Sequence, residues 1–378
     1  MKDPVIITAA AAIDSLSSFD AILDARSPSE FAEDHLPGAI NTPSLDDDER
    51  RLVGTVYRQQ SPFEARRIGA VIVARNVATL IEQRFADRPR DWRPLVYCWR
   101  GGNRSGALAT ILARVGWRTS VLQGGYREFR REVIAALAQR PAGLRFHVLA
   151  GRTGAGKSEL LRRLARSGEQ VLDLEALARH RGSVLGSEPS AAQPSQKAFE
   201  TSLWHALRGL DASRPVFVES ESRRIGQCHL PDALISAIRR ARCTLIDADA
   251  SVRAELLLRD YQHWVADQPL LFERLDRLLP LHGRERIAQW KALAGDGHWQ
   301  AFVESLLTQH YDQAYDRSMR RNFSNIEQAE TVRIDDASDD ALERAVARLR
   351  QLAGEAAGLA ATSFSVSGSR KPPGVPDT

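Results

Sequence analysis

Tyr97-Cys98-Trp99-Arg100-Gly101-Gly102-Asn103-Arg104-Ser105 is the stretch that decides the fold of the first part of the chain. The apolar run 95–97 predicts a strand that ends at Cys98, and the residues after the two glycines predict a helix over Arg104–Val115. Such a loop binds anions, because backbone N–H groups and the helix N-terminus place positive partial charge inside it. The same field favours the thiolate form of Cys98, which is the nucleophilic form.

The other residues of this loop also suit a negatively charged substrate. The two glycines let the chain curl without a Cβ clash, and the two arginines add formal positive charge. The alternative, a buried cysteine that only packs, gives these residues no purpose. Cys98, Arg100 and Arg104 are therefore predicted catalytic residues, and the predicted anion-binding residues are Gly101, Gly102, Asn103 and Ser105.

A second glycine-rich loop, Gly151-Arg152-Thr153-Gly154-Ala155-Gly156-Lys157-Ser158, follows the apolar strand Arg145–Ala150 and precedes a predicted helix over Lys157–Arg166. This is a complete Gly-x4-Gly-Lys-Ser phosphate-binding loop in the strand-to-helix context that the motif requires. We expect Lys157 to neutralise phosphate oxygens and the Ser158 hydroxyl to reach a Mg²⁺ ion. The predicted phosphate-binding residues are Gly151, Thr153, Gly154, Ala155, Gly156, Lys157 and Ser158.

Alternating strands and helices around both loops predict α/β domains with parallel sheets. In the second part, the apolar strand 215–218 ends at Glu219, where an acidic residue would contact a metal or a water. Basic clusters follow other strands, and a solvated helix face explains most of them. Two clusters contain Gly and Ser beside paired arginines and favour anion contact; their candidate residues are Arg179, Arg181, Arg223 and Arg224, in the runs 179–183 and 222–226. A further run, Arg317, Arg320, Arg321 and Asn322, precedes Phe323.

The composition is that of an ordinary globular protein: 43% hydrophobic and 26% charged residues, with a formal net charge of +4. Three cysteines without a Cys-x-x-Cys pair argue against a disulfide framework and favour a cytoplasmic location. No apolar run is long enough to cross a membrane. Trp264, Trp290 and Trp299 lie among apolar-periodic helices and are expected in a core rather than under nucleic-acid bases.

The first part of the chain, residues 13–139, resembles the rhodanese domain. The matching residues are Asp24-x-Arg26 with Glu30, the run 35–41, the cysteine loop after a central strand, and Gly124-Gly125-Tyr126. Common rhodaneses have four residues between the cysteine and the loop arginine, whereas this chain has five, as in cysteine phosphatases. We expect the larger loop to hold a larger anion, such as phosphate or selenophosphate.

A rhodanese-like domain followed by a P-loop domain resembles the tRNA 2-selenouridine synthases over nearly the whole chain, to about residue 350. The resemblance rests on the cysteine loop, Ser61-Pro62-Phe63-Glu64-Ala65, the phosphate-binding loop and the run 219–226. It implies a tRNA substrate with 2-thiouridine at the wobble position. It also implies geranylation of the sulfur by geranyl diphosphate and then replacement of the geranylthiol by selenium from selenophosphate.

The resemblance assigns roles to both loops. The loop 151–158 would hold the diphosphate, with Lys157 stabilising the leaving group. Cys98 would attack the selenium of selenophosphate, form a selenium-bearing cysteine and release phosphate. The arginine clusters would bind the tRNA backbone. Mg²⁺ is permitted at Ser158 and Glu219, no tightly bound cofactor is expected, and a selenophosphate-producing enzyme would supply the donor.

Two alternatives stay open: a P-loop kinase or NTPase with a regulatory rhodanese domain, and a Cys-x5-Arg phosphatase. The first needs a nucleotide-specificity element that we do not find, and the second leaves the P-loop unexplained. The predicted organisation is a rhodanese-like domain over 13–139, a linker over 140–144, a P-loop NTPase-like domain with a helical region over 145–353, and a disordered tail over 354–378.

Overall fold

The computed structural model describes residues 3–181, 192–260, 265, 267–313, 315, 319, 323 and 326–366, the last eleven of them by their backbone. The chain divides into two compact units. The first unit is Met1–Gln139 with Pro194–Arg208, and the second is Arg140–Gln193 with Gly209–Thr378.

A five-stranded, fully parallel sheet forms the centre of the first unit, with strand order β1-β5-β4-β2-β3. All four residues of β4 are buried, so the strand that leads into Cys98 lies in the middle of the core. The strands are β1 Val5–Ile7, β2 Ala21–Asp24, β3 Ala39–Asn41, β4 Pro94–Tyr97 and β5 Ser120–Leu122.

Six helices lie between or beside these strands in residues 3–139, and a 3₁₀ turn at Leu16–Ser18 and a π-turn at Ile81–Phe85 accompany them. The long insert between β3 and β4 is a helical hairpin, in which Gly69 of one helix allows close approach to Val53 of the other. The helices are α1 Ala9–Asp14, α2 Pro28–Glu33, α3 Asp47–Gln59, α4 Pro62–Leu80, α5 Asn103–Val115 and α6 Gly125–Gln139.

A second parallel five-stranded sheet, with order β12-β11-β6-β8-β7, forms the centre of the second unit. A short antiparallel hairpin, β9–β10, follows β8. The strands are β6 Arg145–Ala150, β7 Gln170–Leu172, β8 Pro215–Glu219, β9 Arg224–Ile225, β10 Cys228–His229, β11 Arg242–Ala248 and β12 Glu330–Ile334.

Helices pack around this sheet and also form a helical region with its own apolar core, in which Trp290 is fully buried. Short 3₁₀ turns lie at Arg140–Gly143 and Ile326–Gln328, and a π-turn lies at Leu307–Tyr311. The helices in the second part of the chain are α7 Lys157–Arg166, α8 Leu174–Ala178, α9 Gln196–Arg208, α10 Asp232–Arg240, α11 Ala250–Asp260, α12 Gln268–Asp276, α13 Leu279–Gly295, α14 Trp299–Leu306 and α15 Asp339–Val366.

Helix α9 lies inside the predicted domain range 145–353 in the sequence but packs with the first unit. Its apolar face is buried, and the ring of Trp204 meets that of Phe129 on α6 edge to face at 5.4 Å. A polar cluster reinforces this packing: Thr201 donates to Asp34 over 2.9 Å, and Arg130 pairs with Glu200. A helix that lies between β7 and β8 in the sequence is thus part of the first unit.

Two predicted boundaries differ from the structure. Strand β1 pairs with β5, so the first unit includes residues before 13. The last helix runs to Val366 rather than ending before a tail at 354, because the Ala-rich run 353–361 has high helix propensity. The rest of the predicted tail, 367–378, lies outside the described residues, as do Trp264, Gly182, Ser183, Arg317, Arg320, Arg321 and Asn322.

The predicted α/β architecture, a rhodanese-like domain followed by a P-loop domain with parallel sheets, is otherwise confirmed. Among the described residues, no helix combines the length and the apolar character needed to span a bilayer.

Candidate active site

The cysteine loop, residues 98–105, connects the end of β4 to the start of α5. Cys98 is 3% exposed, and its sulfur accepts a hydrogen bond of 3.1 Å from the hydroxyl of Ser105 in the first turn of α5. This bond places a hydroxyl donor directly on the sulfur and fixes the position of the sulfur in the loop. Arg100 and Asn103 are exposed, and Arg100 forms no hydrogen bond or ion pair with a described residue.

The start of α6 fixes the shape of the cysteine loop. The Tyr126 and Arg127 amides donate to the carbonyls of Cys98 and Trp99 over 2.8 and 3.1 Å. Gly125 has φ +61°, and a Cβ there would lie 2.2 Å from the Cys98 carbonyl oxygen. The motif Gly124-Gly125-Tyr126 therefore has a physical reason: only glycine at position 125 lets the start of α6 come this close to the backbone of the cysteine loop.

Arg104 is held by a carboxylate that comes from α2. Its guanidinium donates to both oxygens of Glu30 over 2.7 and 3.4 Å, and Arg50 adds a second cation at 3.1 Å from Glu30. Burial alone would raise the pKa of Glu30, but the Arg104 hydrogen bond and charge hold that pKa below its usual value. Glu30 is thus ionised and orients Arg104 beside the cysteine loop.

A buried polar network lies behind the cysteine loop. Arg26 pairs with Asp24, and its guanidinium lies 3.9 Å from the centre of the Tyr126 ring. The Tyr126 hydroxyl donates to Asp34 over 2.7 Å. Burial raises the pKa of Asp34 despite the hydrogen bonds from Tyr126 and Thr201 and the charge of Arg130. This network keeps Tyr126, and with it the loop carbonyls, in a fixed position.

The P-loop, residues 151–158, connects β6 to α7 in the second unit. Lys157 Nζ donates to the Gly151 carbonyl over 2.7 Å, so the ammonium lies across the loop. Gly154 and Gly156 both have φ +82°, a conformation that favours glycine. The buried Arg253 donates to the Thr153 carbonyl over 3.1 Å and is itself held by Asp312 through two bonds of 2.8 Å.

Four carboxylates surround the cationic end of the P-loop: Asp173, Glu175, Glu219 and Glu221. The Ser158 hydroxyl donates to Glu175 over 3.0 Å, and the Glu175 amide donates to Glu219 over 2.9 Å. Burial, reinforced by the neighbouring carboxylates, raises the pKa of Glu219 well above its usual value. Burial also lowers the pKa of Lys157, although the nearby carboxylates oppose that change.

A cavity of about 790 Å³ lies beside the P-loop. Its lining includes P-loop residues with Glu175, Glu221 and Arg181. Apolar and aromatic residues belong to the same lining, namely Leu256, Leu257, Tyr311, Tyr315, Met319, Phe323 and Leu342, together with the charged residues Arg162, Arg163, Arg259, Asp260 and Asp339. The arrangement suits a ligand with a phosphate end and a hydrocarbon end.

The structure brings the predicted P-loop residues together, links Ser158 to Glu219 through Glu175, and places Arg181 on the cavity. Arg179, Arg223 and Arg224 are exposed and lie outside the described lining; Arg223 pairs with Asp232. Glu175, Arg253 and the apolar residues of the cavity lining were not predicted from the sequence. Glu175 could have been found, because it follows an apolar strand at its carboxyl end.

Comparisons with known proteins agree with this two-part construction. The family model described as "tRNA 2-selenouridine synthase AAA domain" matches residues 144–269, and a rhodanese-like domain model matches residues 8–132. A tRNA 2-selenouridine synthase from Marinobacter nauticus is 30% identical over 81% of this chain and 90% of its own length. One from Alcanivorax borkumensis is 31% identical over 81% and 91%, and one from Nitrosomonas europaea is 37% identical over 64% and 63%.

Proposed function

Since this chain belongs to the tRNA 2-selenouridine synthase family, we propose that it converts wobble 2-thiouridine in tRNA to 2-selenouridine through an S-geranyl-2-thiouridine intermediate. Geranyl diphosphate is the donor of the first step and selenophosphate the donor of the second. The observation that carries the proposal is the P-loop cavity, where phosphate-binding and apolar residues line a single space.

The apolar residues in the cavity lining favour a prenyl diphosphate over a nucleotide. A hydrocarbon chain gains roughly 0.8 kcal/mol for each methylene group that it buries. Leucine, methionine and phenylalanine side chains provide that environment, whereas a ribose and a base need polar partners as well. Lys157 and the P-loop amides are suited to the diphosphate in either case.

In the first step, the sulfur of 2-thiouridine attacks the allylic carbon of geranyl diphosphate. The carbon–oxygen bond breaks, and its electrons leave with the diphosphate. The N3 proton of the base passes to solvent water as the C2–N3 double bond forms. Lys157 stabilises the charge that grows on the departing diphosphate, and a positioned cation is most effective at such a site.

Ser158 and Glu219 are the residues that would hold Mg²⁺ beside the diphosphate, where the ion would supply additional positive charge. One oxygen of Glu219 is buried without a hydrogen-bond partner, which fits this role. The described residues contain no group of three or more His, Cys, Asp or Glu side chains arranged to hold a metal by themselves. The remaining ligands would therefore be diphosphate and water oxygens.

The second step requires a revision of the role expected for Cys98. Selenium in selenophosphate is already at the oxidation level of a selenide, so a sulfur–selenium bond at Cys98 would need an oxidant. We therefore place the attack of the Cys98 thiolate on phosphorus. The phosphorus–selenium bond breaks, its electrons leave with selenium, and a phosphocysteine forms.

The released hydrogen selenide then attacks C2 of the geranylated base. Geranylthiolate leaves with the electrons of the carbon–sulfur bond, and the proton of the selenide moves to N3. Water hydrolyses the phosphocysteine and regenerates the thiol. The spacing Cys98-x5-Arg104, which is shared with cysteine phosphatases, and the Ser105 donor at the sulfur support this assignment. A selenophosphate-producing enzyme must supply the donor.

Mass spectrometry of nucleosides tests the proposal. Purified enzyme is incubated with 2-thiouridine tRNA and with each donor alone or with both. We expect S-geranyl-2-thiouridine with geranyl diphosphate alone and 2-selenouridine with both donors. Rapid ATP hydrolysis with unchanged tRNA would favour the kinase or NTPase alternative, and release of phosphate from unrelated phosphomonoesters would favour the phosphatase.

A further inference from the structure

Two exposed aromatic side chains lie at the turn between α3 and α4, which we call the hairpin tip (residues 57–67). Tyr57 is 57% exposed and Phe63 is 65% exposed. Among the large hydrophobic side chains that are exposed in the described part of the chain, these are the two aromatic ones. Tyr57 lies near the end of α3 and Phe63 near the start of α4, six residues later. The exposed aliphatic residues elsewhere are scattered, so the tip differs from them.

The tip presents these rings from an ordered turn. Ser61 caps α4: its hydroxyl accepts the amides of Phe63 and Glu64 over 3.2 and 3.5 Å. The Ser61 amide donates to the Val56 carbonyl over 3.1 Å, so the turn is closed on the α3 side as well. Little conformational entropy is then lost when Phe63 contacts a partner.

Positive charge accompanies the two rings. The guanidinium groups of Arg58 and Arg66 donate to carbonyls of their own helices, at Gly54 and Pro62, over 3.3 and 3.1 Å. Neither arginine forms an ion pair with a described residue, whereas Arg67 is paired with Glu64. The tip thus has three arginines against one carboxylate.

We propose that the hairpin tip binds the unpaired bases of the tRNA anticodon loop. The inference rests on the proposed function, because it takes the tRNA substrate as given. The wobble nucleoside lies in that loop, and unpaired RNA bases are recognised by stacking on aromatic rings while arginines contact the phosphates. A second copy of this chain suits the tip less well, because a two-fold contact would bring like charges together.

The test measures binding of an anticodon stem-loop RNA with 2-thiouridine to the full chain, without either donor. We expect Y57L and F63L each to weaken binding by about 5- to 150-fold, the effect of losing one base–aromatic stack. R58Q and R66Q should each reduce the slope of log K against log salt by about 0.7, the effect of one phosphate contact. V71A and L52A, exposed aliphatic positions on the same two helices, are the matched controls and should bind normally.

A fully paired RNA with the sequence of the stem tests the specificity for unpaired bases. Binding of this duplex should be insensitive to Y57L and F63L. Equal losses for the duplex and the stem-loop would overturn the inference, as would normal stem-loop binding by the Y57L/F63L double variant. The inference would also be overturned if the Y57L/F63L double variant had a lower mass in solution than the wild type, because the tip would then be a contact between subunits. Wild-type enzyme that ignores thiolated RNA altogether would instead contradict the proposed function.

Discussion

The hydroxyl of Ser105 donates a hydrogen bond to the sulfur of Cys98 over 3.1 Å, from the first turn of the helix that follows the cysteine loop. Under the proposed function this donor contacts the attacking sulfur directly and helps to hold it in position. We expect S105A to slow alkylation of Cys98 by iodoacetamide near neutral pH and to slow selenation by roughly 10- to 100-fold, the loss of about one charge-assisted hydrogen bond. Geranylation should be unchanged.

S105T and S44A are the controls for this prediction. Threonine keeps the hydroxyl and should retain most of the alkylation rate. Ser44 donates to the Arg104 carbonyl over 3.2 Å, so S44A removes a hydroxyl from the same neighbourhood without touching the sulfur. Alkylation at the wild-type rate in S105A would remove Ser105 from the mechanism.

Under the proposed function, Cys98 acts only in the second step. C98S should abolish incorporation of selenium, because a serine hydroxyl is a poor nucleophile at neutral pH, and geranylated tRNA should accumulate. Wild-type enzyme quenched after brief exposure to selenophosphate labelled in its phosphorus should carry the label on Cys98. The same quench is repeated with selenophosphate labelled in its selenium. If Cys98 then carries the selenium label and not the phosphorus label, the phosphocysteine is refuted.

Gly125 tests how tightly the start of α6 shapes the cysteine loop. G125A introduces a Cβ that would lie 2.2 Å from the Cys98 carbonyl oxygen and 2.6 Å from the Gly101 amide, in a backbone with φ +61°. We expect selenation to be lost and thermal stability to fall, since both the clash and the left-handed backbone are unfavourable. G106A, at a helical position with nothing within 4 Å of the added methyl, should be active.

Local sequence was sufficient for both loops and for most of the elements around them. Glycine spacing, an apolar strand and a following helix lie within a few residues of each other, so the pattern that predicts a loop also contains its main determinants. Helix α7 starts and ends where it was predicted, at Lys157 and Arg166. The predicted α/β order then fixed both sheets as parallel.

Partners distant in the sequence were not predictable. Glu30 and Arg104 are 74 residues apart, and Arg253 and Asp312 are 59 residues apart, so no local pattern connects them. The packing of α9 with the first unit depends on the same kind of distant contact, Thr201 with Asp34. Only tertiary structure decides which of many surface arginines meets which carboxylate.

Lys157 should control the first step alone. K157A removes the ammonium that lies across the P-loop, and we expect geranylation to fall by at least 100-fold together with binding of geranyl diphosphate. Selenation of tRNA that already contains S-geranyl-2-thiouridine should proceed, because it does not use the diphosphate. Normal geranylation by K157A would remove the diphosphate from the P-loop. R166A, which removes a cation from the same helix α7 at a position outside the cavity lining, is the matched control.

The buried His147 should make the free energy of unfolding depend on pH. It is buried in β6, where its Nε2 lies 2.8 Å from the Thr244 hydroxyl, and burial lowers its pKa from 6.5 to about 4. The folded state therefore keeps the imidazole neutral where the unfolded chain binds a proton, so stability is lost as pH falls below 6.5. Between pH 7 and pH 5 this group should cost about 2 kcal/mol of unfolding free energy.

H147Q isolates that contribution, because glutamine can bond to Thr244 but does not titrate. Denaturant unfolding of wild type and H147Q at a series of pH values gives the unfolding free energy of each protein as a function of pH. The wild type should lose more stability than H147Q as the pH falls from 7 to 5, since all other titrating groups are shared. If the unfolding free energies of the two proteins changed in parallel with pH, His147 would be protonated equally in the folded and unfolded chains. The prediction that the buried imidazole stays neutral would then be wrong.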